Sequence, residues 1–345
     1  MFMASQESLA EPLLHRPRQL ILTVTDRCNH FCDMCYYHGS LNRRTNLLSL
    51  AEYGRIAAEL PDLELLLISG GEPFLREDLI EIVEVFHRSS GMRSLFIPTN
   101  GSLPEKIVST VRSLLERLPD LQLTLMFSLE GLAATHDAIH HRAGAFDSVI
   151  EAIRRLAPHR VHQHLKGRPP LGVLLNSVVT AQNLDQILPL MQFARDNLPI
   201  SSHAFTPMRG RGPVEGLGAP SAEAFAALTE AARPFFAHYL ARQPTALRAT
   251  LDRYALWLRL IRGEGLPHQC QAGNYIGVIE PDGGVRHCEL TPVIGHLREV
   301  DFDFERLWFS LEAEAMRQQI VGCSCTHACF INASQAYYAS VARAS

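Results

Sequence analysis

Three thiols fall within the eight residues Cys28-Asn29-His30-Phe31-Cys32-Asp33-Met34-Cys35. A structural zinc site takes four ligands, usually in two pairs, and an iron–sulfur cluster that only carries electrons also takes four cysteines. Three thiolates on one loop instead leave one metal position open, and an open iron can bind a substrate or cofactor directly. The other five cysteines, Cys270, Cys288, Cys323, Cys325 and Cys329, lie more than two hundred residues further on. Cysteines serving as small apolar core residues would scatter along the chain, so two groups point to two metal sites.

The elements that must position these thiols alternate along the chain. Apolar, β-rich runs at 19–25, 63–69, 93–99, 121–129, 171–180 and 201–207 are bounded by Gly, Pro, Asn or Asp and read as strands. Amphipathic stretches near 49–60, 75–89, 103–117, 146–156 and 183–197 read as helices, the first opened by a capping box of Ser49 and Glu52. Repeated strand–helix units predict an α/β fold with a parallel sheet, either a partial (β/α)6 TIM-like barrel or an open doubly wound sheet, with chemistry at the C-terminal strand ends. The first cysteine group follows the first strand and so sits at that end. The expected organisation is a tail at 1–17, a core at 18–212, a helical connector at 213–266 and a small Cys-rich domain at 267–345 with a hairpin around Pro281-Asp282-Gly283-Gly284.

The strand ends carry further short motifs. Ser69-Gly70-Gly71-Glu72-Pro73 closes the second strand, Pro98-Thr99-Asn100-Gly101 the third and Phe127-Ser128-Leu129-Glu130-Gly131 the fourth. His136-Asp137, Arg142 and Ala145-Phe146-Asp147 follow, with an additional His before Arg142; Asn176 and Pro207-Met208-Arg209-Gly210 complete the series. With Cys-x3-Cys-x2-Cys after the first strand, this series over about residues 19–212 resembles the radical S-adenosylmethionine enzymes. The resemblance implies a 4Fe-4S cluster on Cys28, Cys32 and Cys35, whose open iron is chelated by the methionine of S-adenosylmethionine. One electron then yields a 5′-deoxyadenosyl radical that takes a hydrogen from the substrate. It further implies that Gly70, Gly71 and Glu72 place the methionine moiety, and that Asn100, Ser128, Glu130 and Arg142 lie around its ribose and carboxylate. Glu130 stands where the family has Asp, and Met34 where it often has an aromatic beside the adenine. An electron donor such as flavodoxin or ferredoxin is implied as partner.

The second group, Cys270-x12-Gly283-x4-Cys288 and then Cys323, Cys325 and Cys329, is similar to the SPASM/twitch extension of that family, which holds auxiliary clusters. Five thiols can ligate one further 4Fe-4S cluster but not two. Cys270 and Cys288 are the firmest ligands, with the remaining two drawn from Cys323, Cys325 and Cys329, and Cys325 and Cys329 favoured. A zinc knob on the same thiols is the competing reading.

Composition narrows the class. The 345 residues are 47% hydrophobic with a formal net charge of −4, enough chain for a large core and without the basic excess of a nucleic-acid binder. No apolar run approaches the roughly 18 residues of a membrane span, and the first residues lack the pattern of a signal peptide, so a soluble cytoplasmic protein is expected. His159, His162 and His164 read as a solvated loop, because no carboxylate accompanies them. Arg209-Gly210-Arg211-Gly212 suits either a grip on phosphate or carboxylate or a plain turn. The expected function is hydrogen abstraction from a small molecule such as a sugar, cyclitol or secondary metabolite, with a peptide or protein substrate as the alternative. The single auxiliary cluster and the roughly eighteen residues ahead of the first strand favour the former.

Overall fold

The apolar runs do form one sheet. The computed structural model describes residues 16–43 and 46–344, and the expected tail lies mostly outside them. Strands β1 (Gln19–Thr23), β2 (Leu65–Ser69), β3 (Ser94–Thr99), β4 (Gln122–Ser128), β5 (Gly172–Val179) and β6 (Ser202–Pro207) run parallel in that order. Between them pass α1 (Leu50–Ala58), α2 (Leu79–Ser89), α3 (Pro104–Arg117), α4 (Ala133–Ile139), α5 (Ala145–Leu165) and α6 (Ile187–Asn197). This is the partial TIM-like arrangement. Alternate residues Leu20, Leu22, Leu66, Ile68, Leu95 and Ile97 are buried against helix stripes such as Leu79, Ile82, Val83 and Phe86 of α2. The capping box forms as expected: Ser49 accepts from the Glu52 amide while Glu52 accepts from the Ser49 amide.

Two elements differ from expectation. The helix expected at 146–156 continues through Pro158 to Leu165, which places His159, His162 and His164 on a helix rather than a loop. Tertiary contacts outweigh the local breaker: Gln163 is buried on this last stretch, and Arg160 donates to the carbonyl of Pro199 and to Ser201 Oγ. The short α4 also escaped the reading of the sequence.

After β6, α7 (Ala222–Tyr239) and α8 (Pro244–Ile261) pack Phe225, Phe236 and Trp257 around Phe205, whose amide and carbonyl are both bound by the Tyr254 hydroxyl. The chain then returns to the sheet. β7 (Ile276–Ile279) pairs parallel to the free edge of β1, and the hairpin β8 (Gly284–Arg286) and β9 (Gly295–His296) extend it antiparallel. The order is β6-β5-β4-β3-β2-β1-β7-β8-β9. Helices α9 (Phe304–Trp308), α10 (Leu311–Ile320) and α11 (Ala328–Ala344) complete the C-terminal region, and Trp308 lies so close over β7 that only glycine fits at 277. Arg298 locks this region onto the core by binding Glu52 at 2.6 and 3.0 Å and the carbonyl of Asn46.

Candidate active site

The loop after β1 and the turn after β2 are in direct contact. The Gly71 amide donates to Thr25 O at 2.9 Å and the Glu72 amide to Arg27 O at 2.8 Å. An added Cβ on Gly70 would fall 2.5 Å from Thr25 O, and one on Gly71 would fall 2.2 Å from Arg27 O, so the glycine pair is required by this approach. The Cys loop and the GGE turn are thereby held as one wall of a cavity of about 230 Å³.

Cys28, Cys32 and Cys35 all line that cavity, together with Met34, Gly70, Gly71, Glu72, Asn100, Ser128, Glu130 and Asn176. Arg142 does not: its side chain is exposed on the turn after α4, and His140 reaches the cavity instead. Burial pushes the Cys28 thiol up to about 11 and raises Cys32 and Cys35, and each of these thiols except Cys35 also feels another of the three. Burial thus keeps the thiols protonated until a metal displaces the protons.

Glu72 is buried, and burial lifts its carboxyl to about 7 against three hydrogen bonds that pull it down. Those donors are the Phe74 amide (3.1 Å), Thr99 Oγ1 (2.8 Å) and the Asn100 amide (2.8 Å). The Asn100 side chain turns to Asn29, with Nδ2 3.0 Å from Oδ1. Met34 packs with Ile139 and Met208.

Glu130 is the centre of a histidine cluster that the sequence hinted at only through its additional His. His140 Nε2 bonds Glu130 Oε2, His136 Nδ1 lies 3.3 Å from the same oxygen, and His140 Nδ1 lies 3.0 Å from His30 Nδ1 and 3.4 Å from Cys32 Sγ. Burial acts to raise the Glu130 carboxyl, but the two imidazoles outweigh it and leave it at about 2. Its other oxygen, Oε1, is buried without a partner. An unpartnered buried acceptor costs about 1–3 kcal/mol, which a ligand hydroxyl would recover.

The second cysteine group stands beside this cavity. Cys270 and Cys288 share one buried cluster with Ile21 of β1, and Cys323 and Cys329 pack against that cluster. Cys288 feels the charges of Cys270 and Cys323, and Cys325 is hydrogen-bonded to Cys323 and feels Cys288. Cys329 instead feels Glu289 and Arg209. Glu289, next to Cys288, accepts from Tyr36 Oη at 2.7 Å and Tyr37 Oη at 3.1 Å, the two residues after Cys35. His327 Nε2 lies 2.5 Å from its other oxygen. Burial favours the neutral carboxyl, but His327, Arg209 and Tyr36 hold Glu289 at about 2.

Thiols that need a metal, a glycine cradle and an orphaned acceptor fit a cluster and a nucleoside-bearing ligand in one cavity. Residues 22–194, half of the chain, match the model of the radical SAM superfamily, and the chain belongs to that superfamily. Its members bind a 4Fe-4S cluster and S-adenosylmethionine. The chain is 29% identical to the GTP 3′,8-cyclase of Staphylococcus saprophyticus over 203 residues, 55% of this chain and 54% of that protein. It spans about half, or less, of the length of the curated relatives it matches. The structure of Streptococcus suis SuiB shares the fold at 16% identity and a TM-score of 0.60, covering 88% of this chain and 68% of SuiB; it is also solved with S-adenosylmethionine and with precursor peptide SuiA. The structure of anSMEcpe with AdoMet and the Cp18Cys peptide shares it at 16% identity and 0.60, covering 90% and 83%. Among the described residues no helix is long and apolar enough to cross a membrane.

Proposed function

We propose that this radical SAM enzyme acts as an oxidoreductase on a small molecule, with a second 4Fe-4S cluster in its C-terminal region. The observation that carries the reading is the meeting of the two cysteine groups at one carboxylate: Tyr36 and Tyr37 reach Glu289 from the first group, and His327 reaches it from the second. Two metal sites joined through one buried contact suit a reaction in which the second accepts an electron or anchors the substrate.

Cys28, Cys32 and Cys35 would hold the first cluster, which supplies the electron that turns S-adenosylmethionine into the hydrogen-abstracting radical. Gly70 and Gly71, which let the β2 turn close on the Cys loop, and Glu72 would hold the methionine moiety. Glu130 Oε1 is the acceptor available to a ribose hydroxyl, with Asn100, Ser128 and Met34 along the same wall. Cys270, Cys288, Cys323 and Cys325 would hold the second cluster. Cys270, Cys288 and Cys325 each feel Cys323 and none of them feels Cys329, which supports Cys323 over Cys329 as a ligand. A flavodoxin or ferredoxin would supply electrons. The small-molecule reading is supported by the curated relative whose name gives GTP as its substrate. The peptide-bound structures of SuiB and anSMEcpe support the alternative of a peptide substrate.

The test is iron and sulfide per chain after anaerobic reconstitution, in wild type and in a variant lacking Cys28, Cys32 and Cys35. About eight irons falling to about four is the expected result for two 4Fe-4S clusters. About four falling to none removes the second cluster and the electron-acceptor role with it.

A further inference from the structure

Arg209 follows β6 and stands in the cavity wall as the single Lys or Arg among the described lining residues. Its placement is built in. Gly210 adopts φ +64°, where a Cβ would press to 3.2 Å on Tyr36 Cβ, and a Cβ on Gly212 would fall 2.4 Å from Asp33 O. The Arg-Gly-Arg-Gly loop therefore lies flat on the first Cys loop. Arg209 points inward and Arg211 is exposed.

The guanidinium is nevertheless short of partners. It stacks on the Tyr36 ring, 4.3 Å from the centroid, and Nη2 donates to Tyr36 Oη at 2.9 Å. Nε is buried without an acceptor. The nearest carboxylate oxygen, Glu289 Oε2, is 3.9 Å away and beyond hydrogen-bond distance, and Glu289 is already engaged by two tyrosines and His327. A guanidinium has five donors in a planar fork that matches an oxyanion. A half-buried one that spends a single hydrogen-bond donor keeps the rest of its fork for an anion that arrives with a ligand.

We propose that Arg209 receives a carboxylate or phosphate group of the substrate, so that the small molecule is anionic. This rests on the reading of the cavity as the radical site. Two anions could arrive there: the methionine carboxylate of S-adenosylmethionine and the substrate's own. The observations favour the second. The GGE turn proposed to hold methionine follows β2, whereas Arg209 follows β6 and stands beside Glu289 of the C-terminal region.

The experiment compares reconstituted full-length wild type, Arg209→Gln, Arg209→Lys and Arg211→Gln by equilibrium dialysis, with inorganic phosphate as the probe in the presence of S-adenosylmethionine. Binding of S-adenosylmethionine is measured in parallel. Arg209→Gln should weaken phosphate binding about tenfold or more, the loss of a charged hydrogen-bonding partner. Arg209→Lys should lie between the two, because it keeps charge and loses the fork. Arg211→Gln and the affinity for S-adenosylmethionine should not change. Unchanged phosphate binding in Arg209→Gln, or no saturable binding to wild type at millimolar phosphate, overturns the proposal. So does loss in Arg211→Gln, which would place the anion on the surface loop. An equal loss of S-adenosylmethionine binding in Arg209→Gln overturns it as well, since the anion would then be the methionine carboxylate. If Arg209→Gln does not fold, Arg209→Lys decides on the same criteria. The wild-type iron count stands apart from all of these outcomes, so a failure of the two-cluster reading is visible separately.

Discussion

Replacing Gly71 by Ala isolates the contact between the GGE turn and the Cys loop. Gly71, unlike Gly70 at φ +150°, is not among the residues with positive φ, so alanine there meets a purely steric obstacle. The new Cβ would fall 2.2 Å from the carbonyl oxygen of Arg27, 2.5 Å from its carbonyl carbon and 2.9 Å from Cys28 Cβ. Carbon–oxygen contacts settle at about 3.3–3.6 Å, so the two segments must part by about 1 Å. The obstacle is backbone, and no rotamer change relieves it. The same carbonyl accepts the Glu72 amide, so the displacement moves the carboxylate relative to Cys28, whose thiol feels its charge. Overpacking of this kind costs about 1–3 kcal/mol of stability, which a protein of this size tolerates. Misplacement of a positioning group by about 1 Å costs on the order of 10²-fold in rate. Gly71→Ala should therefore retain its iron and lose about 10²-fold in reductive cleavage of S-adenosylmethionine, read as 5′-deoxyadenosine with dithionite as reductant. Iron equal to wild type with a rate also equal to wild type would refute the idea that this approach positions the site.

Other variants test the remaining physics. Glu72 titrates at about 7 in the folded chain against an ordinary 4.5, so its contribution is present below the unfolded value and is lost as pH rises through about 7. Between about pH 5 and pH 8 the metal-free wild type should lose up to about 3 kcal/mol relative to Glu72→Gln, and urea unfolding of both proteins at each pH reads the difference. A difference that stays flat with pH would mean that Glu72 titrates as an ordinary carboxylate. In α1, Ser49→Ala removes the cap and should cost about 1 kcal/mol. Gly54→Ala in the same helix should gain about 0.5–1 kcal/mol, because its Cβ meets only Val85 Cγ1 at 3.9 Å. Thermal melts of the pair should move in opposite directions.

The six strands of the core were legible because each is a short apolar run closed by a turn, and the observed strands fall inside the expected ranges. The cysteines, the glycine pair and Glu72 were legible because their spacing is local and their chemistry narrow. What depends on distant partners was not. Ile276–Ile279 is four residues long, and nothing in it announces the free edge of β1 as its partner. The hydrophobic period of α5 fades after Leu156, where Pro158 and three histidines suggest an end. The helix persists because Arg160 and Gln163 find partners outside it. Arg142 and His140 lie two residues apart, and only the turn after α4 decides which of them enters the cavity.

The pairing of β7 with β1 bears directly on the proposed chemistry. A separate Cys-rich domain on a linker would hold its thiols at a variable distance from the first group. Here Cys270 precedes β7 and Cys288 follows β8, and β7 is hydrogen-bonded to β1, the strand that leads to Cys28. Ile21 of β1 belongs to the same buried cluster as Cys270 and Cys288, so the strand whose end leads into the first group also shares a core with the second. The Arg298–Glu52 pair and the Tyr36–Glu289 and Tyr37–Glu289 bonds close the arrangement from two further directions. Backbone pairing sets the spacing between the two cysteine groups, and the buried carboxylate sets their orientation. Electron transfer between two clusters, or a substrate held between them, requires such a fixed separation.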